Sequence, residues 1–174
     1  MIVFDLETQN LAAEVGGWSN IEALRMSVAC TWDEHNEYRT WWEPQAVDLL
    51  TTLRSEKFLV GFNVNKFDFR VLSLYGDCRG FEDKTFDILD EIRKQGKRLV
   101  NLNRLATINL GETKMVESGV DVVGLWRKGE LDQLVMYCQR DVELTKRLFE
   151  FWRDNGLLWV SAGDYVVWPG LNNE

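Results

Sequence analysis

Short apolar segments separated by polar turns dominate the first half of the chain. Residues 2–7 form an apolar run interrupted by two acids, which predicts a strand. Residues 25–32 and 37–42 are rich in β-forming residues and flank a polar turn, so they predict a hairpin. Residues 58–62 and 85–89 predict two further short strands.

Helical periodicity follows and separates these strands. The predicted helices cover about residues 44–55, 63–75, 89–94, 101–110 and 130–155. Asn63 and Asn101 are the predicted N-caps, and Gly156 ends the last helix. Residues 8–24 predict a loop with one helical turn, and 112–129 carry no clear pattern. Three early strands, then helices alternating with two more strands, predict an α/β fold.

Length and composition limit the protein class. The 174 residues favour a single domain over 1–174, with 157–174 as a C-terminal hairpin or tail. An apolar share of 45% excludes global disorder, and no apolar run is long enough to cross a membrane. The start of the chain lacks the basic region of a signal peptide. The three cysteines are far apart, which disfavours a disulfide framework and favours a reducing, cytoplasmic location.

The charged and titratable residues narrow the chemistry. The only histidine, His35, lies in the polar turn 33–36, so multi-histidine zinc sites are excluded and catalysis is expected to use carboxylates. The net charge of −8 argues against a protein that coats nucleic acid electrostatically. It does not argue against an enzyme that meets phosphate through metal ions held by acids.

Four acids interrupt apolar patterns. Asp5 and Glu7 are two apart on the first strand, so they share a face about 7 Å apart, unless they lie at a solvated strand end. Asp68 and Asp141 fall on or beside the apolar stripes of their helices. Tyr137 is one helical turn before Asp141, and an ordinary core tyrosine is the simpler interpretation of it alone.

These acids have no obvious cationic partner in the sequence. Lys66, Arg70 and Arg140 are near them, but helical rotation directs these side chains elsewhere. Acids that converge from a strand and two helices would repel each other, and a divalent cation would relieve the repulsion. Ligands that are all oxygen favour Mg²⁺ or Mn²⁺.

Three motifs resemble those of a known family. Residues 4–8 match Asp-x-Glu-Thr, residues 61–68 match Gly-Tyr/Phe-Asn-x-x-x-Phe-Asp, and residues 137–141 match Tyr-x-x-x-Asp. Together and in this order, they resemble the DEDD 3′–5′ exonucleases of the ribonuclease-H-like superfamily. The tyrosine is typical of the DEDDy subgroup, because the sister subgroup has histidine where this chain has Met136.

The resemblance covers about residues 1–155 and implies a fold. It is greatest to stand-alone or helicase-associated exonucleases that are similar to the proofreading domain of family B DNA polymerases. It implies a mixed five-stranded sheet, with three antiparallel and then two parallel strands, flanked by helices.

The same resemblance implies a function. It implies hydrolysis of phosphodiesters at the 3′ end of single-stranded DNA or RNA, with release of nucleoside 5′-monophosphates by a two-metal-ion mechanism. The implied metal ligands for two Mg²⁺ or Mn²⁺ ions are Asp5, Glu7, Asp68 and Asp141, and Tyr137 completes the implied catalytic set. The implied substrate-binding residues are Leu6, Thr8, Asn63 and Phe67, although Asn63 as a helix cap and Phe67 as core are equally good interpretations. A helicase or polymerase partner would act in trans, and the oligomeric state stays open.

Two other functions and several side chains remain open. The alternatives are an endonuclease on hybrid or branched nucleic acid and a catalytically silent nucleic-acid-binding module. The basic residues 93–98 are interpreted as a solvated loop before a substrate contact. Asp87 is either a helix cap or a support for the metal ligands. The aromatic residues that could stack on bases, although core positions are favoured, are Trp41, Trp42 and Trp126.

Overall fold

The structure, a computed structural model, describes residues 1–97, 100–112 and 121–170. Its strands are β1 (Ile2–Thr8), β2 (Met26–Asp33), β3 (Glu37–Trp42), β4 (Leu59–Gly61), β5 (Thr85–Asp87), β6 (Leu157–Ser161) and β7 (Asp164–Val167). Its α-helices are α1 (Ala46–Ser55), α2 (Asp68–Leu72), α3 (Ile88–Lys94), α4 (Leu102–Leu110), α5 (Val122–Lys128) and α6 (Leu131–Asn155). Of these helices, none has the length and apolar character needed to cross a bilayer.

Five strands form one mixed sheet in the order β3-β2-β1-β4-β5. The pairs β1–β2 and β2–β3 are antiparallel. The pairs β1–β4 and β4–β5 are parallel. The predicted α/β fold, with three antiparallel and then two parallel strands, is therefore confirmed.

The two faces of the central strand β1 pack against different layers. Ile2, Phe4 and Leu6 lie in a core with residues of α1 and α2, whereas Val3 lies in a second core with residues of α6. This alternation follows from the two-residue period of a strand. Residues 5 and 7 have the same parity as Val3 and therefore face α6.

The predicted helix at 63–75 is wrong in its beginning and its length. Asn63 has a φ of 66°, which is left-handed, whereas an N-cap residue needs extended backbone. The chain makes a tight turn over residues 63–67, and α2 then begins only at Asp68 and ends at Leu72. Asn63 is therefore a turn residue, which asparagine tolerates better than most residues.

Other local predictions are confirmed with small changes. The Asn101 side chain caps α4, and Gly156 ends α6 with a φ of 73°. Pro44 lies in a single 3₁₀ turn that precedes α1. The loop at 8–24 contains two 3₁₀ turns, Ala12–Val15 and Trp18–Ala23, rather than a single helical turn.

The C-terminal hairpin β6–β7 packs on the same core as α6. Leu158, Val160 and Val166 are buried there, and Trp168 stacks on Phe86 with ring centroids 4.9 Å apart. The remaining predictions for 98–99, 113–120 and 171–174 lie outside the described residues.

Candidate metal centre

Three carboxylates meet where β1 lies against α6. Asp5 and Glu7 project from the same face of β1, and Asp141 projects from α6. One carboxylate oxygen from each side chain lies within 4.8 Å of the others. All three residues are half-buried, so the cluster is partly open to solvent. A single cation can contact all three at this spacing.

The fourth acid, Asp68, reaches β1 from the opposite edge. On β1, strand β4 pairs with Ile2 and Val3 alone, so among the described residues the second half of β1 has no strand neighbour on that side. The Leu6 amide instead donates a hydrogen bond of 3.0 Å to Oδ1 of Asp68. Asp68 is only 3% exposed and lies against the backbone of β1, but it is not one of the three acids whose oxygens lie within 4.8 Å of one another.

A tight turn after β4 places Asp68 there. A Cβ on Gly61 would lie 2.3 Å from Cγ1 of Val64, so any side chain at 61 would push the turn apart. The left-handed backbone of Asn63 then reverses the chain toward α2. The motif at 61–68 thus has a local structural reason for its glycine and its asparagine.

Asp87 fixes this turn from the neighbouring strand. Its carboxylate accepts hydrogen bonds from the amides of Asn63, at 2.8 Å, and Asn65, at 3.0 Å. It also caps α3 by accepting from the amides of Leu89 and Asp90. The interpretation of Asp87 as a helix cap is therefore confirmed, and the same carboxylate also fixes the turn that precedes Asp68.

The electrostatics of the cluster are unfavourable to bare carboxylates. Burial, followed by the charges of Asp68, Glu7 and Asp141, raises the pKa of Asp5 well above its usual value. Burial and the charges of Asp141 and Asp68 do the same to the pKa of Glu7. Burial and the charge of Asp87 raise the pKa of Asp68 to about 8. Burial raises the pKa of Asp141 to about 7.

The neighbouring cations are paired elsewhere, as the sequence predicts. Lys66 pairs with Asp90 at 3.6 Å, Arg70 with Glu22 at 2.6 Å, and Arg140 with Glu112 at 2.6 Å and Glu143 at 2.7 Å. Within the described ranges, the ion pairs include neither the three clustered acids nor Asp68. An oxygen-only donor set without a cation fits a hard divalent ion such as Mg²⁺ or Mn²⁺.

Tyr137 lies one turn before Asp141 on α6 and is half-buried. Burial, and then the charges of Asp141, Glu7 and Asp5, raise the pKa of its phenol above the usual value. The hydroxyl therefore keeps its proton at neutral pH and is available to donate a hydrogen bond.

The four predicted substrate-binding residues lie on β1 or in the turn before α2, and much of their polar surface is engaged within the protein. The Leu6 amide binds Asp68, and Oγ1 of Thr8 donates to the Asn10 carbonyl at 2.9 Å. Oδ1 of Asn63 accepts from Arg93 at 3.0 Å. Phe67 is half-buried beside the apolar core of α1 and α2.

Two residues near the site, Cys138 and Trp18, could not be predicted because their patterns in the sequence are too weak. The thiol of Cys138 lies 3.4 Å from the carbonyl oxygen of Asp5 and 3.8 Å from its Oδ2. Its only sequence signal is a place on the apolar stripe of α6. Trp18 lies beside Phe67 with ring centroids 6.3 Å apart. Its only sequence signal is an aromatic residue in a polar loop.

Most of the residues predicted as candidates for base stacking or for phosphate contacts already make contacts within the protein. Trp41 is 3% exposed and donates to Oγ1 of Thr31, so it belongs to the core. Trp42 and Trp126 pack partly buried against the core of α6. Among residues 93–97, the cations Arg93, Lys94 and Lys97 pair with Asp90, Glu91 and Asp164.

Comparisons with known proteins agree with this architecture. A family profile, RNase_H_2, described as RNase_H superfamily, matches residues 2–153. No curated protein matches the chain in sequence. The fold is similar to the solved family B DNA polymerase from the hyperthermophilic archaeon Pyrobaculum calidifontis, with a TM-score of 0.64 and 17% identity over 86% of this chain. The chain spans only 24% of that polymerase chain. Because the family profile covers most of the sequence, the protein belongs to the RNase_H superfamily.

Proposed function

We propose that the protein is a DEDDy-type 3′–5′ exonuclease that removes nucleoside 5′-monophosphates from the 3′ end of single-stranded nucleic acid. One observation carries the proposal: carboxylates from β1 and α6 converge within 4.8 Å of one another, with no cation paired to them in the described chain. The RNase_H superfamily membership supports nuclease chemistry at this cluster.

The residues fit a pair of divalent ions. Asp5, Glu7 and Asp141 present oxygens to one shared space, and Asp68 adds a carboxylate beside Asp5 across the Leu6 amide. We assign these four acids as the ligands of two Mg²⁺ or Mn²⁺ ions. Such ions, when bound, supply a nucleophilic water at neutral pH and neutralise charge on the phosphate and the leaving oxygen.

The other residues bind and orient the substrate. Tyr137 donates a hydrogen bond that orients the attacking water or the scissile phosphate, since its phenol stays protonated. We assign Leu6, Thr8, Asn63 and Phe67 to the terminal nucleotide because they follow or flank the metal ligands on β1 and in the turn before α2.

The net charge of the protein limits how it can bind a nucleic-acid strand. With a net charge of −8, the protein has little general attraction for nucleic acid, so contacts with a single strand must be concentrated near the metal centre. We propose one exonuclease domain over 1–174 that works on single strands, with a helicase or a polymerase as the partner that supplies them.

A cleavage assay tests the proposal. Single-stranded DNA and RNA, each labelled at the 5′ end, are incubated with Mg²⁺, Mn²⁺ or EDTA and resolved on a gel. A metal-dependent ladder that shortens one nucleotide at a time is expected. Internal cuts would identify an endonuclease, and binding without cleavage would identify a silent module.

The Tyr137→Phe substitution is expected to give a graded defect. It removes one hydrogen bond to a charged group but no metal ligand, so kcat should fall about 10- to 100-fold while metal affinity is unchanged. Single-turnover rates and a Mn²⁺ titration measure the two quantities. A complete loss of activity would give Tyr137 a larger role than orientation.

A further inference from the structure

We propose that Trp18, together with Phe67, forms a stacking platform for an unpaired base of the substrate strand, beside the metal centre. This inference rests on the proposed function, because the occupant is the strand whose end is cleaved. Trp18 lies on the loop that follows β1, the strand that carries Asp5 and Glu7, and Phe67 lies in the turn before α2.

Trp18 is the most exposed large apolar side chain in the described part of the chain, at 71% exposure. By contrast, Trp41 is 3% exposed and Trp152 is fully buried. Exposed tryptophan loses favourable burial of a large apolar surface, so a structural role does not explain it. A free indole face is the surface on which nucleobases stack.

The position of Trp18 connects it to the metal centre. Its ring lies 6.3 Å from that of Phe67, with the planes inclined at 55°. Phe67 directly precedes Asp68, which is bonded to the Leu6 amide between the two acids of β1. Phe67 thus connects the two rings to the metal centre, and the proposal places on them the nucleotides next to the terminal phosphate.

The loop that carries Trp18 is held in place. The Arg70 guanidinium of α2 donates to the Ser19 carbonyl at 2.9 Å and pairs with Glu22 at 2.6 Å. At the start of the loop, Glu14 pairs with Arg127 of α5 at 2.6 Å. The loop is thus tied to two helices, and a loop that is ordered before binding loses little entropy on binding.

Charge favours a base over a phosphate as the occupant. The site is acidic, the whole chain has a net charge of −8, and Arg70 and Arg127 are already paired with acids. Phosphate contacts therefore contribute little to affinity outside the metal centre. Stacking adds affinity without requiring positive charge, and it tolerates any base.

Equilibrium binding tests the platform. Fluorescein-labelled single-stranded oligonucleotides are titrated with wild-type protein, Trp18→Ala and Trp18→Phe, with Ca²⁺ in place of Mg²⁺ and anisotropy as the readout. Trp18→Ala should weaken binding about 5- to 100-fold, and Trp18→Phe should retain part of the affinity. The matched control is Trp159→Ala, which removes a 37% exposed tryptophan from the remote β6–β7 hairpin and should leave binding unchanged.

Substrates with one abasic nucleotide separate stacking from a structural effect. The abasic position is moved through the last six nucleotides of the oligonucleotide. At one or two adjacent positions, the missing base should weaken binding to wild-type protein and should add no further loss in Trp18→Ala. A Trp18→Ala protein that binds all substrates as tightly as wild type would overturn the proposal, and so would an equal loss at every abasic position.

The outcomes for the platform and for the exonuclease are distinct. If wild-type protein cleaves normally and the Trp18→Ala variant is fully active and binds as tightly, the platform is refuted and the exonuclease proposal stands. Wild-type protein that neither binds nor cleaves single strands in any metal removes both. Melting temperatures equal to that of wild type, expected because Trp18 is exposed, show that the variants are folded.

Discussion

The Asp68→Asn and Asp141→Asn substitutions are each expected to reduce hydrolysis by about 1,000-fold or more. Each change keeps the shape of the side chain but removes one anionic oxygen from the cluster. The loss should therefore appear in the rate constant of hydrolysis, measured under single-turnover conditions at saturating Mn²⁺. Asp68 and Asp141 lie on different helices, so the same result from both would locate the reaction between them.

A control substitution on α6, the helix of Asp141, tests whether this result is specific. Asp132 is exposed in the first turn of α6, and Asp132→Asn changes the net charge by the same amount. It should leave the rate unchanged. If Asp68→Asn or Asp141→Asn retained a tenth of the wild-type activity, that residue would not be a metal ligand. Ladder assays in Mg²⁺ and in Mn²⁺ would exclude a mere change of preferred metal.

The sheet and the long helix are predictable because their patterns are local. Residues 2–7 form a short apolar run interrupted by two acids, which predicts a strand, and a glycine follows the periodic stretch that ends at 155. The polar turn at 33–36 marks the hairpin, and the Asp33 carboxylate indeed accepts from the amides of His35 and Asn36. The order of the motifs then indicates the strand order, which periodicity alone does not determine.

The turn before α2 is not predictable from periodicity. Val64, Phe67 and Val71 have helical spacing, yet only the last of them lies in the helix. The deciding contacts are distant in sequence: Asp87 binds the amides of Asn63 and Asn65 from the next strand. Tertiary hydrogen bonds of this kind override local propensity.

The candidate site, too, is predictable from the sequence only in part. An acid that interrupts an apolar pattern is visible in the sequence, so Asp5, Glu7 and Asp141 are recognisable as candidates from their spacing. The Leu6–Asp68 hydrogen bond and the position of Trp18 beside Phe67 depend on how loops pack. The sequence shows only a backbone amide and a tryptophan at these positions, and both are too common to identify a functional site.

The melting temperature of the metal-free protein is expected to fall as pH rises from 6 to 8.5. The folded-state pKa of Asp68 is raised from 3.8 to about 8, and that of Asp141 from 3.8 to about 7. A carboxyl whose pKa is raised by folding stabilises the folded state below its unfolded pKa. That contribution is lost as pH rises through the folded pKa, because the folded state must then hold an unfavourable charge. The window from pH 6 to 8.5 covers the end of this loss.

Divalent cations should reverse this loss. Mn²⁺ or Mg²⁺ binds the ionised cluster but not the unfolded chain, so the gain in melting temperature should increase with pH and reach about 5 °C or more at pH 8. Asp68→Asn should melt higher than wild type without metal at pH 8, since one buried charge is gone, and should lose most of the gain from metal. Scanning calorimetry at pH 6, 7 and 8.5, with EDTA or with Mn²⁺, measures both effects. A metal-free melting temperature independent of pH, with no gain from either ion, would mean that these acids do not form a metal centre. Full activity loss in Asp68→Asn together with higher metal-free stability would instead identify the repulsion among the acids as the structural cost of the site.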